Sequence, residues 1–212
     1  MRKALAIDLD GTLLSTNTFR DYLSYCGHAS LYGFRFDIAL SILWWVILRK
    51  VRIISHSQMK RALLRRTSVF MNRKGRLDQF VERELVYLNP EAQRLMESYR
   101  NRGYLLILCT AAPGFYAQQI ADYCHTDLCC ATPLPSEIVL GQWNECVGQH
   151  KVDALSRMLR VHKAELEVVI TDHHDDIPLL NYNLNGRNVV INPSAKTLRM
   201  LQQECKSLWE QA

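Results

Sequence analysis

Short runs of consecutive apolar residues alternate along the chain with longer stretches in which apolar residues recur at helical spacing. Five of these runs predict buried strands, at residues 3–9, 104–109, 128–132, 166–170 and 188–191. The other stretches after residue 89 predict helices at 90–102, 113–123, 150–161, 177–180 and 195–209. Because strands that alternate with helices form a parallel sheet covered on both faces, we predict an α/β fold with a doubly wound, Rossmann-like core.

The stretch between the first strand and residue 89 has helical spacing throughout and predicts an inserted module of about four helices. Four small residues are candidate helix breaks: Gly27, Gly33, Ser55 and Gly75. We therefore expect an α/β core domain formed by 1–15 and 90–212, with a helical cap domain formed by 16–89. Residues 137–148, which include Gly141, are expected to form a hairpin or an irregular flap.

The charge distribution sets the helical module apart from the rest of the chain. The 212 residues carry a formal net charge of +5, yet no acidic residue lies between Asp37 and Asp78. That interval holds ten basic residues: Arg49, Lys50, Arg52, Lys60, Arg61, Arg65, Arg66, Arg73, Lys74 and Arg76. It also holds an apolar run, residues 38–48, which is too short to span a bilayer as a helix.

Two interpretations of this basic, apolar module remain open. The apolar run packs against neighbouring helices and leaves a solvated basic face, or the module meets an anionic membrane surface, since interfacial helices combine apolar residues with Lys and Arg. Nucleic acid is a less favoured partner, because no recognisable RNA-binding module accompanies the charge.

The cysteines and the first residues of the chain bear on its compartment. Seven cysteines, an odd number without a repeated C-x-x-C spacing, argue against both a disulfide framework and a zinc cluster. Only four apolar residues separate Lys3 from Asp8, so no signal-peptide segment is present there. We expect a cytoplasmic protein, with peripheral contact to the inner face of the membrane as the alternative.

Two carboxylates follow the first predicted strand. Asp8 and Asp10 are separated by one residue, so in extended backbone their side chains point the same way and repel each other. The repulsion raises the proton affinity of one of the two carboxylates. This difference suits phosphoryl transfer, because the ionised carboxylate attacks phosphorus while its protonated neighbour donates to the leaving oxygen. Gly11 lets backbone amides approach a phosphate group.

Polar residues also follow or flank the other core strands. The Thr110 hydroxyl and the following amide, that of Ala111, are candidates to hold a phosphoryl oxygen. Lys151 would neutralise the nucleophile and the transferring group. Because Mg²⁺ accepts one or two protein carboxylates together with phosphate and water, Asp8 and Asp172 are the natural pair for that ion.

Four sequence segments together resemble the motifs of the haloacid dehalogenase-like superfamily. They are DLDGTLL at 8–14, LLILCTAAP at 105–113, GQHKVDAL at 148–155 and TDHHDDIPLL at 171–180. The last resembles the fourth motif of the phosphoserine-phosphatase-like branch, and the helical insertion after the first motif resembles the cap of that branch. The chain length, the apolar cap run and GQHKV are also similar to the phosphatidylglycerophosphatase C type of bacterial lipid phosphatases.

The resemblance implies a role for each matching residue. Asp8 would be the nucleophile, Asp10 the acid and base, Thr110 a phosphate ligand and Lys151 the neutralising cation. Asp172 would hold Mg²⁺, aided by the main-chain carbonyl of Asp10.

The other residues of the fourth motif match the family pattern to different degrees. Asp176 matches the second acid, which supports metal-bound water or the lysine. Asp175 departs from the family pattern, which places a neutral or amide residue there more often. His173 and His174 are expected to orient the turn or face solvent, because adjacent side chains diverge and Mg²⁺ prefers oxygen.

The function that these residues predict is a Mg²⁺-dependent phosphatase that hydrolyses a phosphate monoester through an aspartyl-phosphate on Asp8. The basic, apolar cap indicates an anionic substrate with a hydrophobic part, such as a lipid phosphate. A small soluble metabolite phosphate such as phosphoserine is the alternative substrate class. A peripheral membrane or polyanion-binding protein with little turnover is the alternative function.

Overall fold

The computed structural model describes residues 1–73, 75–138 and 142–212. Its centre is a six-stranded parallel sheet with strands in the order β3-β2-β1-β4-β5-β6. The strands are β1 (Arg2–Ile7), β2 (Leu105–Pro113), β3 (Leu128–Thr132), β4 (Ala164–Thr171), β5 (Arg187–Val190) and β6 (Glu210–Gln211). This topology confirms the doubly wound α/β fold. Of the hairpin or irregular flap predicted at 137–148, residues 139–141 lie outside the described residues, and the described part forms neither helix nor strand.

The direction of winding reverses between β1 and β4, which are neighbours at the centre of the sheet. Ile7 at the end of β1 pairs with Leu108 of β2 on one side and with Ile170 of β4 on the other. The residues that follow these strands therefore meet at one edge. In open α/β sheets this reversal opens a crevice beyond the carboxyl ends of the strands, where ligands bind.

Helices cover both faces of the sheet and fill the connection after β1. The helices are α1 (Thr18–Tyr32), α2 (Phe36–Lys50), α3 (His56–Met71), α4 (Arg76–Leu85), α5 (Pro90–Asn101), α6 (Gly114–Tyr123), α7 (Gln149–Val161), α8 (Ile177–Tyr182) and α9 (Ala195–Glu204). We refer to α1–α4, residues 18–85, as the helical insertion. None of the described helices has the length and apolar composition needed to cross a bilayer.

The alternation of side chains along the strands divides the interior into two layers. Leu5 and Ile7 of β1 lie in the layer that contains α5, α6 and the buried residues of the helical insertion. Ala4 and Ala6, which point to the opposite face, lie in the layer with α7, α8 and α9. The helical insertion thus shares one hydrophobic core with one face of the sheet.

Local sequence signals explain several helix boundaries. The Asn89 side chain accepts a hydrogen bond from the Glu91 amide, with Pro90 in the first turn of α5. Ser55 and Gln58 form a capping box at the start of α3. The predicted break at Gly27 is wrong, because Gly27 lies within α1, and the chain leaves that helix at Gly33.

The carboxyl-terminal segment also differs from the sequence prediction. Helix α9 ends at Glu204 rather than near residue 209, and Glu210–Gln211 forms the edge strand β6. The Asn181 side chain accepts hydrogen bonds from the Lys206 and Ser207 amides, which holds the chain in an extended path beyond the helix. Arg187 and Glu210 then form an ion pair between β5 and β6.

Candidate active site

A cavity of about 680 Å³ lies at the carboxyl ends of β1, β2 and β4, beneath the helical insertion. It is lined by all eight residues predicted from the sequence: Asp8, Asp10, Gly11, Thr110, Ala111, Lys151, Asp172 and Asp176. A larger cavity of about 890 Å³ lies at the opposite edge of the sheet, between the start of β4 and the start of β5, and contains none of these residues. The chemistry predicted from the sequence therefore converges on the smaller cavity.

Lys151 joins two carboxylates at the base of this cavity. Its Nζ donates to Asp8 Oδ1 at 2.9 Å and lies 2.7 Å from Asp176 Oδ1. The Thr171 hydroxyl donates to the other carboxylate oxygen of Asp176 at 2.7 Å. Burial lowers the pKa of Lys151, but the charges of Asp176 and Asp8 raise it by more than burial lowers it, so the pKa lies well above the usual value. Lys151 is thus a buried cation beside Asp8.

Asp8 and Asp10 have different surroundings, although only one residue separates them. Burial raises the pKa of Asp8 to about 8 even though Lys151 opposes the shift, and the nearby Asp176 and Asp10 add to it. Burial also raises the pKa of Asp10, whose Oδ1 accepts a 2.6 Å hydrogen bond from the Thr18 amide. The first residue of α1 therefore orients Asp10, whereas Lys151 orients Asp8.

Gly11 allows Asp172 to approach the turn after β1. Gly11 has a φ of 80°, and a Cβ at this position would overlap with the Asp172 carboxylate. Asp172 Oδ1 also accepts a hydrogen bond from the Thr12 hydroxyl at 3.2 Å. Because the Gly11 amide itself donates to Thr16 O, Gly11 contributes space for Asp172 rather than a hydrogen-bond donor for phosphate.

The oxygen ligands around Gly11 fit a hard divalent cation. Asp8 and Asp172 line the same cavity, and so does Asp10. Burial raises the pKa of the Asp172 carboxyl as well, so the site gathers carboxylates whose ionisation a bound cation would favour. Oxygen donors of this kind are the ligands that Mg²⁺ takes in proteins.

Thr110 and Ala111 lie where the ladder between β2 and β3 is interrupted. The pairing shifts register between Cys109 and Pro113, and the intervening residues line the cavity. Strand β2 therefore extends beyond Thr110, where the sequence predicted its end. The Thr110 hydroxyl oxygen accepts a hydrogen bond from the Ala112 amide at 3.0 Å, which leaves its own hydrogen to donate into the cavity.

The lining residues that were not predicted site residues include Lys60, Glu145 and His56. Lys60 of α3 is only 3% exposed, and its Nζ lies 2.8 Å from Ala111 O and 2.7 Å from Glu145 Oε2. Lys60 therefore does not belong to the solvated basic face expected from the sequence. A local signal was present, because Lys60, Leu63, Leu64 and Thr67 follow helical spacing and share the buried face of α3.

His173, His174 and Asp175 come together at the rim of the cavity. The two imidazole rings lie 4.0 Å apart between centroids, and Nδ1 of His173 accepts a hydrogen bond from the Asp175 amide. Potential metal-binding atoms of the three side chains lie within 4.8 Å of one another. The expected divergence of the histidines is wrong, because extended backbone at His173 passes directly into a 3₁₀ turn at His174–Asp176.

The sheet order and the acidic cavity at its switch point define a doubly wound α/β protein with a ligand site in the position typical of that class. The family model of haloacid dehalogenase-like hydrolases matches residues 5–181, so the chain belongs to this hydrolase family. A search among curated proteins finds no significant match.

Solved structures of low sequence identity share this fold. A protein of unknown function from Bordetella pertussis Tohama I is 17% identical, with 99% of each chain covered and a TM-score of 0.76. A substrate-bound phosphoserine phosphatase is 11% identical, with 94% of this chain and 90% of that chain covered and a TM-score of 0.58. A phosphoserine phosphohydrolase-like protein from Francisella tularensis is 15% identical, with coverages of 95% and 98% and a TM-score of 0.54. The fold is therefore that of phosphoserine-phosphatase-like hydrolases.

Proposed function

We propose that the chain is a Mg²⁺-dependent phosphatase that hydrolyses a phosphate monoester through an aspartyl-phosphate on Asp8. The observation that carries this proposal is the buried arrangement of Asp8, Lys151 and Asp176 at the base of a cavity that also contains Asp10. Lys151 occupies Asp8 Oδ1, which leaves Oδ2 to attack phosphorus. Asp10 is held separately by the Thr18 amide, as a group with a different task requires.

The reaction then proceeds in two displacements. A bond forms between Asp8 Oδ2 and phosphorus as the bond to the ester oxygen breaks, and Asp10 donates a proton to the leaving alcohol. A water molecule next attacks phosphorus and gives a proton to Asp10, and the bond between Asp8 and phosphorus breaks to release phosphate. Lys151 stays protonated throughout, because the charge of Asp176, which takes no part in either displacement, holds its pKa high.

The metal and phosphate ligands follow from the same geometry. Asp8, Asp172 and the Asp10 carbonyl would hold Mg²⁺, which supplies positive charge that offsets the repulsion between a carboxylate nucleophile and a phosphate anion. The Thr110 hydroxyl donates to a phosphoryl oxygen, and the Ala111 amide offers a second donor. Asp176 positions Lys151 through its 2.7 Å ion pair.

Substitution of Asp8 by asparagine tests the nucleophile. The variant keeps the shape of the side chain but loses the attacking carboxylate, so hydrolysis of a generic phosphate ester should fall to background while circular dichroism shows a folded protein. Asp153→Asn, on the surface of α7 where Gln149 bonds the carboxylate, is the matched control and should keep full turnover. Retained turnover in Asp8→Asn would remove Asp8 from the nucleophile role.

We further propose that the substrate is a phosphate ester with an apolar part, such as a lipid phosphate. An apolar groove of about 420 Å³, lined in part by Leu23, Val46 and Met59, adjoins the active-site cavity and shares Phe19 and His56 with it. A substrate whose phosphate reaches Asp8 can therefore lay an apolar chain between α1 and the end of α2.

A specific observation also favours contact with an anionic membrane surface. Only Ile38 and Ile42 of α2 are buried, so packing within the protein accounts for little of its apolar run. Leu40, Trp44 and Ile47 are 65%, 60% and 44% exposed and share one face of the helix. The exposed basic residues Arg49, Lys50 and Arg52 follow directly, which gives the charge that anionic lipid attracts.

Vesicle flotation tests this membrane contact. The protein should float with vesicles that contain anionic phospholipid and less with neutral vesicles, because both the apolar stripe and the basic charges contribute. Trp44→Ser combined with Leu40→Ser should abolish binding, whereas Val161→Ser, at an exposed apolar residue on α7, should not. Absence of binding, or equal binding by the α2 variant, would contradict the proposal.

A substrate panel separates the two substrate classes. Phosphoserine, a sugar phosphate and phosphatidylglycerophosphate in mixed micelles should be compared by kcat/KM. We expect the lipid phosphate to be the best substrate because of the apolar groove. Higher kcat/KM for phosphoserine would favour the soluble-metabolite class, and absence of turnover on any ester would favour a binding protein of the same fold.

A further inference from the structure

Three cysteine thiols from distant parts of the sequence meet behind one wall of the active-site cavity. Cys109 of β2 pairs in register with Cys130 of β3, and Cys146 lies in the segment that precedes α7. All three are buried and reduced, and their sulfur atoms lie within 4.8 Å of one another. The sulfur atoms of Cys130 and Cys146 are 3.7 Å apart.

This spacing matches that of thiolates around one metal ion. Metal–thiolate bonds of about 2.3 Å place the sulfur atoms of a trigonal or tetrahedral site about 4 Å apart. Three thiolates without an oxygen ligand suit soft ions such as Cu⁺, whereas Mg²⁺ prefers oxygen. The cluster therefore differs in ligand chemistry from the carboxylates around Asp8.

The electrostatic surroundings favour one deprotonated thiol, that of Cys130, whereas the pKa values of the buried Cys109 and Cys146 thiols lie above their usual range. Hydrogen bonds from the Cys109 and Cys146 thiols lower the pKa of Cys130. The Lys151 ammonium adds a positive charge within electrostatic range and opposes the cost of burying a thiolate. Binding of Cu⁺ would release the remaining thiol protons and leave a net negative site beside a cation.

The cluster lies next to the active-site cavity. Thr110, which follows Cys109, lines the cavity, as do Glu145 and Val147 on either side of Cys146. Neighbours of Cys109 and Cys146 thus line the cavity, whereas the three thiols themselves are buried next to it.

We propose that Cys109, Cys130 and Cys146 form a three-thiolate site for a soft metal ion, with Cu⁺ as the ion that fits it best. A bound ion joins β2, β3 and the segment that carries Glu145. It also adds negative charge next to Lys151, which competes with Asp8 for the ammonium group. If Asp8 is the nucleophile as proposed above, occupancy of this site lowers phosphatase turnover.

Copper binding by the reduced full-length protein under anaerobic conditions tests the site directly, without an activity assay. We expect about one Cu⁺ per chain to remain after gel filtration with a weak chelator, together with ultraviolet thiolate-to-metal charge-transfer absorption. Cys146→Ser and Cys130→Ser should each lose both signals. Cys129→Ser is the matched control, because Cys129 neighbours Cys130 on β3 but packs on the opposite face of the sheet and should retain both signals.

Two results would overturn the proposal. One is failure of the folded wild-type protein to retain Cu⁺. The other is undiminished copper in a folded Cys146→Ser or Cys130→Ser variant, as binding at His173 and His174 would give. Phosphatase assays on the same samples then show whether occupancy inhibits. Absence of copper binding in a wild-type protein that is active as a phosphatase refutes the metal site alone, whereas copper binding by a wild-type protein that hydrolyses no phosphate ester counts against the catalytic proposal alone.

Discussion

Replacement of Lys60 by methionine would break the contact that ties the helical insertion to the sheet across the cavity. The Lys60 ammonium is almost fully buried, and it donates to Ala111 O of β2 and to the Glu145 carboxylate. Methionine has a similar length but no charge. The substitution therefore leaves the Glu145 carboxylate, which is only 10% exposed, without its principal cation.

The size of the effect follows from the pKa of Glu145. Burial raises this pKa, but His56, whose Nδ1 lies 3.8 Å from Glu145 Oε1, and the charge of Lys60 outweigh burial and lower it from 4.5 to about 2. A shift of this size corresponds to about 3 kcal/mol of stabilisation in the ionised state, shared between His56 and Lys60, since each pKa unit is worth about 1.4 kcal/mol. Removal of one partner from a buried ion pair costs a similar amount, about 3–5 kcal/mol. We expect Lys60→Met to destabilise the protein by about 3 kcal/mol at pH 7.

The sign of the pH dependence is fixed by the direction of the shift. The pKa of Glu145 is lower in the folded than in the unfolded state, so its stabilisation is present above about pH 4.5 and is lost as the pH falls through 2. The difference in stability between wild type and Lys60→Met should therefore shrink as the pH falls from 4.5 towards 2.

Urea unfolding of a double-mutant cycle measures this coupling. Wild type, Lys60→Met, Glu145→Gln and the double variant should be compared at pH 7, with Lys196→Met on the exposed face of α9 as the control. We expect the double variant to be more stable than the sum of the single effects predicts, because neither variant group then remains charged and unpaired. Strict additivity, or equal loss at pH 7 and pH 3, would refute the account.

Two further substitutions test other parts of the structure. Burial and the nearby Asp21 raise the pKa of Glu84 from 4.5 to about 7, and its Oε2 has no hydrogen-bond partner among the described residues. The pKa of Glu84 is higher in the folded than in the unfolded state, so ionisation of this carboxyl destabilises the folded protein. The destabilisation is absent below pH 4.5 and complete above pH 7. Thermal unfolding of Glu84→Gln should therefore show a free energy of unfolding about 3 kcal/mol higher than wild type at pH 8 and little changed at pH 4.5. Gly11→Ala should lose activity and weaken its Mg²⁺ dependence, because the new Cβ displaces Asp172, with a strain cost of about 1–3 kcal/mol. Gly27→Ala in α1, where nothing lies within 4 Å, should leave Mg²⁺-dependent activity unchanged and raise stability slightly.

The sheet could be predicted from the sequence because its strands are buried on both faces. Each strand at the centre of the sheet is a nearly continuous apolar run, as in β1 and β2, and neither resembles the half-exposed alternation of an antiparallel edge. The site residues could be found for a related reason. Parallel strands end at one edge, so Asp8, Thr110 and Asp172, each near the end of an apolar run, had to lie near one another.

Strand β6 could not be predicted because its two residues carry no apolar pattern. Both residues of β6 are exposed, and the apolar spacing of residues 195–209 continues past the point where α9 ends. What ends the helix is a tertiary contact, since the Asn181 side chain of α8 accepts hydrogen bonds from the Lys206 and Ser207 amides. The local sequence pattern of α9 does not indicate this contact with Asn181.

The cysteine cluster could not be predicted from the sequence for a comparable reason. Spacing rules detect metal sites whose ligands lie close together along the chain, whereas these three thiols come from β2, β3 and the segment before α7. The sequence argued against a zinc cluster because it showed no C-x-x-C pairs. Pairing of β2 with β3 brings Cys109 and Cys130 together without any such spacing.

Lys60 shows how a local pattern can require a distant partner without identifying it. Its position on the buried face of α3, in line with Leu63, implies that a charge leaves water when the helix packs. Because an unpaired buried ammonium is too costly to retain, such a lysine needs an acceptor inside the fold. That acceptor is Glu145, which lies 85 residues away in a segment without helical or strand periodicity. A charged residue on an otherwise buried helical face is therefore a reason to expect a site between that helix and the core.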